Sequence, residues 1–170
     1  MIEHEILFLG LLMEGPKHGY DIKLQIENEL VPFIGLKIKS IYYPLEQMEK
    51  AGLIAKAVGQ EGKWPKKFIY RITPKGKKEF NRAITKSFIS VERPFFQIDL
   101  SLYFLRYVDN DVAKRRLTAR VQLLKKIRKD LASLIEKSRE TAKGIPIILR
   151  HDLDLVDAEI QSITHLISRL

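Results

Sequence analysis

The chain has 170 residues, 45% of them hydrophobic, enough for one substantial core and a small accessory element but not for two large domains. A formal charge of +9 and a pI near 9.7 favour a polyanionic partner, either nucleic acid or an acidic membrane surface. The lack of cysteine excludes disulfide frameworks, thiol catalysis and cysteine-ligated zinc or iron–sulfur sites. The opening stretch carries Glu3 and Glu5 where a signal peptide needs basic residues, and no run approaches the roughly 18 apolar residues of a membrane span, so a cytoplasmic location is expected.

The charge is unevenly placed. Residues 1–36 hold two Lys/Arg against six Asp/Glu, residues 37–86 hold thirteen against four, and residues 87–170 hold fifteen against eleven. The middle stretch thus carries a net charge equal to that of the whole chain, as an electrostatic footprint for phosphates would.

In chain order, Ile2 to Met13 is apolar nearly all round, with Ile2, Ile6, Leu9 and Met13 on one face, and predicts a buried or dimer-facing helix. Gly15 and Pro16 break it. Pro16 is placed to open a second helix carrying Tyr20, Ile22, Ile26 and Leu30, which Pro32 and Gly35 end. A third helix is expected from Lys39 or Ser40, with Ser40 as cap, to Ala51, with Ile41, Leu45 and Met48 inward and Gly52 as its stop. The period then changes. Leu53 to Val58 and Phe68 to Thr73 read as strands joined by a polar, basic loop, Gly59 to Lys67. Thr73 and Pro74 read as cap and first residue of a helix reaching about Phe88. Three helices followed by a basic hairpin is the order of a winged helix-turn-helix, with the hairpin as wing.

Three stretches resemble the PadR-type transcriptional regulators: EILFLGLLMEGPKHGYDI (5–22), KSIYYPLEQMEKAGLI (39–54) and FIYRITPKGKKEF (68–80). RPFFQIDLSLYFLRY (93–107) is similar to the start of that family's C-terminal region. The resemblance implies a winged-helix domain over residues 1–88, a helical dimerisation region over 89–170, and repression released by a small ligand or other signal. The family usually has one tyrosine followed by proline in the third helix. Here Tyr42 is followed by Tyr43 and then Pro44, so the proline is displaced by one place and base contacts do not carry over residue by residue.

An α-helix entering the major groove presents the side chains of its first turns to base edges. Lys37 and Lys39 precede that end of the third helix, Ser40, Tyr42 and Tyr43 lie in it, and Gln47 is a turn further on. Lysines there neutralise phosphates, while tyrosine and glutamine contact bases or backbone oxygens. The competing reading makes one tyrosine a core aromatic. In the wing, Lys63, Lys66 and Lys67 read as phosphate or minor-groove contacts, with the role of Trp64 left open. His18 and Tyr20 belong to the resemblance and read equally as phosphate contacts or packing groups.

The last third supplies the partner. Leu149, Leu153, Val156, Ile160, Ile163, Ile167 and Leu170 step by four and three, a heptad seam. The preceding helix, from about Asp111 to Lys143, has its own stripe, and a loop at Gly144 to Pro146 reverses the chain into an antiparallel pair. Leu123, Ile127, Leu155 and Leu166 lie off these stripes, apolar area that a second subunit explains and packing on the same chain explains less well. Phe95, Phe96, Tyr103 and Tyr107 are a candidate pocket for a small hydrophobic or aromatic effector, with plain core packing as the alternative.

An enzyme is not expected. His151, Asp152, Asp154 and His165 include metal-ligand types, but the two histidines stand about 21 Å apart along a helix, and no phosphate loop, nucleophile elbow or carboxylate pair is present. No cofactor is implied. The alternative to a sequence-specific regulator of double-stranded DNA is a basic membrane-surface or helical interaction protein. The densest basic region coincides with turns and a hairpin instead of an amphipathic helix, which disfavours membrane binding. The reading is a mainly α fold with a small β-hairpin, a homodimer bound to an inverted-repeat operator.

Overall fold

Helix-forming and strand-forming segments follow the expected order, with one added strand that rearranges the start of the second helix. The computed structural model describes residues 2–31, 38, 40–59, 67–91, 96–138 and 144–170. Contacts divide the chain into two units, Met1–Arg93 and Pro94–Leu170.

In the first unit, α1 (Ile2–Met13) buries Leu7, Phe8, Leu9, Leu11 and Leu12, a face wider than the expected stripe, and leaves Met13 exposed. Lys17–His18 forms strand β1, which pairs antiparallel with a later strand, Lys17 opposite Tyr70 and His18 opposite Ile69. The extended backbone needed for that ladder delays α2 to Gly19–Gln25, so Pro16 does not open it. A π-helical turn, Ile26–Leu30, continues α2, and Ile22 and Ile26 lie in the core. The expected stops at Pro32 and Gly35 lie outside the described residues.

Helix α3 (Tyr42–Lys50) starts later than expected. Its N-cap is Ile41, which has no side-chain oxygen, so Ser40 is not the cap. Pro44 sits in the first turn, where backbone N–H groups have no intrahelical acceptor, and its missing donor costs nothing there. The helix closes as a Schellman motif: Gly52 N donates to Glu49 O (2.9 Å), Leu53 N donates to Met48 O (2.9 Å), and Gly52 takes the left-handed φ of 70°. Strands β2 (Ile54–Gly59) and β3 (Lys67–Ile72) pair with Ile54 opposite Ile72 and Val58 opposite Phe68, in a sheet of order β1-β3-β2.

Helix α4 (Pro74–Phe88) begins as the sequence implies, with Pro74 at the helix start and Thr73 as cap. The Thr73 hydroxyl accepts from Gly76 N (3.0 Å) and donates towards Gly52 O (2.8 Å) and Leu53 O (3.0 Å), while Lys75 Nζ donates to Ala51 O (2.7 Å). One hydroxyl thus ties the start of α4 to the end of α3. Thr73→Ala is expected to cost about 1–2 kcal/mol, read as a lower urea midpoint, and Thr73→Ser to recover most of it.

In the second unit, α5 (Ile98–Tyr103) and a 3-10 turn (Leu105–Tyr107) precede two long helices, α6 (Asn110–Ser138) and α7 (Ile145–Arg169). Asp109 caps α6, its carboxylate accepting from Asp111 N (3.0 Å) and Val112 N (3.1 Å). Pro146 lies in the first turn of α7, not in the reversing loop, because a proline is accommodated where its N–H would be unsatisfied anyway. The expected end of α6 at Lys143 lies outside the described residues. The α6–α7 hairpin packs Leu117, Val121 and Ile163 at its centre, with Ile98, Ile160, Leu166, Ile167 and Leu170 against them. Two cross-hairpin ion pairs set its register: Arg120 with Glu159 (2.5 Å) and Arg128 with Asp157 (2.6 Å).

Candidate nucleic-acid interface

Helix α3 lays Ile41, Leu45 and Met48 into the core, and this fixes what its other sides present. Tyr42 and Tyr43 are 61% and 68% exposed, so neither is a core aromatic. They face different surroundings. Tyr42 lines a notch of about 280 Å³ with His18, Tyr20, Phe68 and Tyr70, whereas Tyr43 and Gln47 line a larger cavity of about 650 Å³ on the side of α1. Ser40 is exposed just ahead of the helix and borders the larger cavity.

The notch exists because β1 holds His18 beside β3. Phe68 and Tyr70 reach it from alternate positions of β3, a pair the sequence reading overlooked although their i, i+2 spacing puts them on one face of the strand. Burial pushes the Tyr70 phenol up from its ordinary pKa. Tyr20 is exposed, while the Nδ1 of His18 is buried without a hydrogen-bond partner among the described residues.

Two carboxylates on α3 would oppose a polyanion, and both have lysine partners. Lys50 donates to Glu46 at 2.6 Å, and this bond is the main reason the Glu46 carboxyl is held below its ordinary pKa. Lys56, on the wing strand, stands 4.0 Å from Glu49 and 3.9 Å over the Phe68 ring. Neutralised acids leave the tyrosines and Gln47 as the polar groups of that helix face. Lys37, Lys39, Lys63, Trp64 and Lys66 lie outside the described residues, and Lys67 opens β3.

The remaining expected site residues are placed differently from one another. Within the single chain, Leu149 and Ile163 are buried and Leu153, Val156, Ile160, Ile167 and Leu170 half-buried, so much of the heptad seam is covered inside the α6–α7 hairpin itself. Of the off-stripe residues the hairpin leaves Leu123 (64%), Ile127 (47%) and Leu155 (53%) exposed, while Leu166 packs against its core. Phe96, Tyr103 and Tyr107 are exposed among the described residues of the single chain; Phe104 packs edge-on to Tyr103 at 4.9 Å, and Arg106 lies over the Tyr107 ring at 4.8 Å. Phe95 lies outside the described residues. Among the described residues no three His, Cys, Asp or Glu side chains are grouped to hold a metal ion, and His151 and His165 are exposed on α7. No helix of the described residues is long and apolar enough to cross a membrane.

A third helix presenting exposed tyrosines and glutamine beside a two-stranded hairpin defines a winged helix-turn-helix protein. Residues 8–82 match the model of the transcriptional regulator PadR-like family. The negative transcriptional regulator PadR of Bacillus subtilis is 27% identical over 135 residues, 79% of this chain and 74% of the relative. The crystal structure of that species' PadR in complex with operator DNA superposes with a TM-score of 0.75 at 23% identity over 97% of each chain. Its complex with p-coumaric acid gives 0.78 at 22% identity, over 97% of this chain and 93% of the other.

Proposed function

We propose that this chain is a cytoplasmic, sequence-specific repressor of transcription that binds an inverted-repeat operator as a homodimer, is released from it by a small-molecule effector, and performs no catalysis. The observation that carries this reading is the exposure of Tyr42, Tyr43 and Gln47 on α3 next to the basic wing. The operator-bound relative of like fold supports it, and the p-coumaric acid complex supports the effector. In this reading α3 enters the major groove and the wing lysines hold the backbone.

The homodimer forms through the outward face of the α6–α7 hairpin. Arg120, Leu123, Ile127 and Leu134 step by three, four and seven along α6, and Glu159, Leu155 and Ile148 step by four and seven along α7, so the Arg120–Glu159 ion pair puts both rows on one side. A twofold axis through that face makes a four-helix contact, and a twofold dimer reading an inverted repeat addresses half-sites about one DNA turn apart.

Selection of bound fragments from a pool of duplexes tests the reading, and an inverted repeat is the expected product. Against it, Tyr43→Ala or Tyr42→Ala is expected to reduce operator preference by about 1–3 kcal/mol per base contact and leave the salt slope unchanged. Lys66→Ala or Lys67→Ala should weaken specific and random duplexes alike and lower that slope by about one per phosphate contact. Circular dichroism first establishes that each variant is folded. Folded tyrosine variants that keep full discrimination would remove α3 from the reading role. Vesicle binding that survives moderate salt without duplex binding would replace the proposal with a membrane-surface protein.

A further inference from the structure

We infer that a basic stripe on α6 binds the phosphate backbone of a second segment of double-stranded DNA, apart from the segment read by α3. That a first segment sits at α3 rests on the proposed function; binding by the stripe does not. Helix α6 carries nine Lys/Arg against three Asp/Glu. Residues 139–143, outside the described ones, add two basic residues and one acid, so their composition does not reverse that sign. Five of the nine cations share one side of the helix. Lys114, Lys125 and Lys129 are joined through Thr118 and Gln122 in steps of four, four, three and four, with Arg115 and Lys126 along the edge. Lys114 is half-buried and the other four are exposed. This is not the side packed on α7, which holds Leu117 and Val121. Nor is it the proposed dimer side, since Lys125 and Lys129 stand about 160° round the helix from Ile127.

Helix stability does not explain the stripe. Lys125 and Lys129 are four residues apart and Lys126 and Lys129 three, like-charge spacings that destabilise an isolated helix. They lie mid-helix, away from the last turn, where the helix dipole favours cations. No acid among the described residues pairs with any of the five; the cross-hairpin bonds engage Arg120 and Arg128 instead. A polyanion supplies the missing counter-charge, and the groups between the cations select its kind. Thr118 and Gln122 are exposed and polar, and the exposed apolar side chains of α6, Val112, Leu123, Ile127 and Leu134, lie outside the stripe. A protein partner takes its affinity from desolvated aromatic or apolar anchors, and a bilayer surface from apolar groups sunk among the lipid chains. Duplex phosphates need neither, only cations and hydrogen-bond donors spread along a charged rod. From Lys114 to Lys129 the stripe runs about 22 Å, beside which a duplex presents roughly thirteen phosphate charges.

Bead capture with the full chain tests this. The protein is loaded onto an immobilised, selected operator duplex at one dimer per duplex, and a labelled random duplex is added at low salt. The parent should retain the label. The double change Lys125→Gln with Lys129→Gln should weaken that capture by about tenfold or more and lower its salt slope by about two. Lys125→Arg with Lys129→Arg, which keeps both charges, should retain it. Glutamine and arginine both suit a helix, so each double variant should match the parent in circular dichroism, dimer mass and operator affinity. No capture by the parent at low salt, or equal capture by the glutamine variant, overturns the inference and leaves the proposed function standing. So does binding of vesicles of equal phosphatidylserine and phosphatidylcholine that the glutamine variant loses, when no second duplex is captured. Where no operator can be selected, the same capture is run on an immobilised random duplex. A chain that bridges two random duplexes through Lys125 and Lys129 but selects no operator keeps the inference and overturns the proposed function instead.

Discussion

Gly76→Ala is expected to remove about 3–5 kcal/mol of stability, near the top of the range for a single substitution. A Cβ at position 76 would stand 2.0 Å from the Leu53 carbonyl oxygen and 2.8 Å from Ile72 Cγ1. The first of these is backbone, held by the Schellman turn that ends α3, so it has no rotamer to retreat into. Relief requires the start of α4 to move off that turn. Such a shift also breaks the bonds of Thr73 and Lys75 to the carbonyls of residues 51–53. Against a typical domain stability of about 5–15 kcal/mol, this is a large share. Urea denaturation should show a much lower midpoint for Gly76→Ala. Gly144→Ala, where nothing among the described residues lies within 4 Å of the added carbon, should stay within about 1 kcal/mol of the parent, and Gly52→Ala should lose about 1 kcal/mol for its left-handed φ. An unchanged midpoint for Gly76→Ala would mean that α4 does not approach the turn as closely as described.

The second large effect separates the two apolar surfaces of the α6–α7 hairpin. Ile127→Asp places a charge on an exposed site, which a lone hairpin tolerates and a packed dimer face does not. Each twofold contact would contain the charge twice, and a loss of about 3–5 kcal/mol raises the dimer dissociation constant by roughly two to four orders of magnitude. Light scattering at micromolar concentration should then show a folded monomer of unchanged helicity. Ile163→Asp is different. That side chain is 3% exposed in a single chain, packed against Leu117 and Val121, so the charge should unfold the hairpin and lower helicity. An Ile127→Asp chain that remains dimeric would move the interface to another surface. A folded monomer from Ile163→Asp would show that the heptad seam faces the partner after all.

Where the signal is local, the sequence determined the result. Thr73 and Pro74 open α4, Gly52 ends α3, and the change from helical period to alternation marks β2 and β3, because caps, left-handed glycines and strand alternation act within a few residues. The order of helices and wing followed from these. Leu123, Ile127, Leu155 and Leu166 were separable from the seam because helical periodicity alone places them on another face, and the structure leaves all but Leu166 largely exposed.

The tertiary structure decided what depends on a distant partner. Lys17 and His18 have no strand signal of their own; they are extended because β3 offers them a ladder, and that pairing moves the start of α2 and builds the notch around Tyr42. Spacing could not say which of two adjacent tyrosines faces the core. Both are outside it, since Ile41 and Leu45 fill the inward positions on either side of them. The heptad seam was equally ambiguous, because an α-helix packs its apolar stripe against any complementary helix, whether from its own chain or a second copy. The short reversal before α7 makes α6 the nearest such helix, and loop closure over so few residues costs less than association, so Leu149 and Ile163 are buried in-chain and the off-stripe face remains exposed.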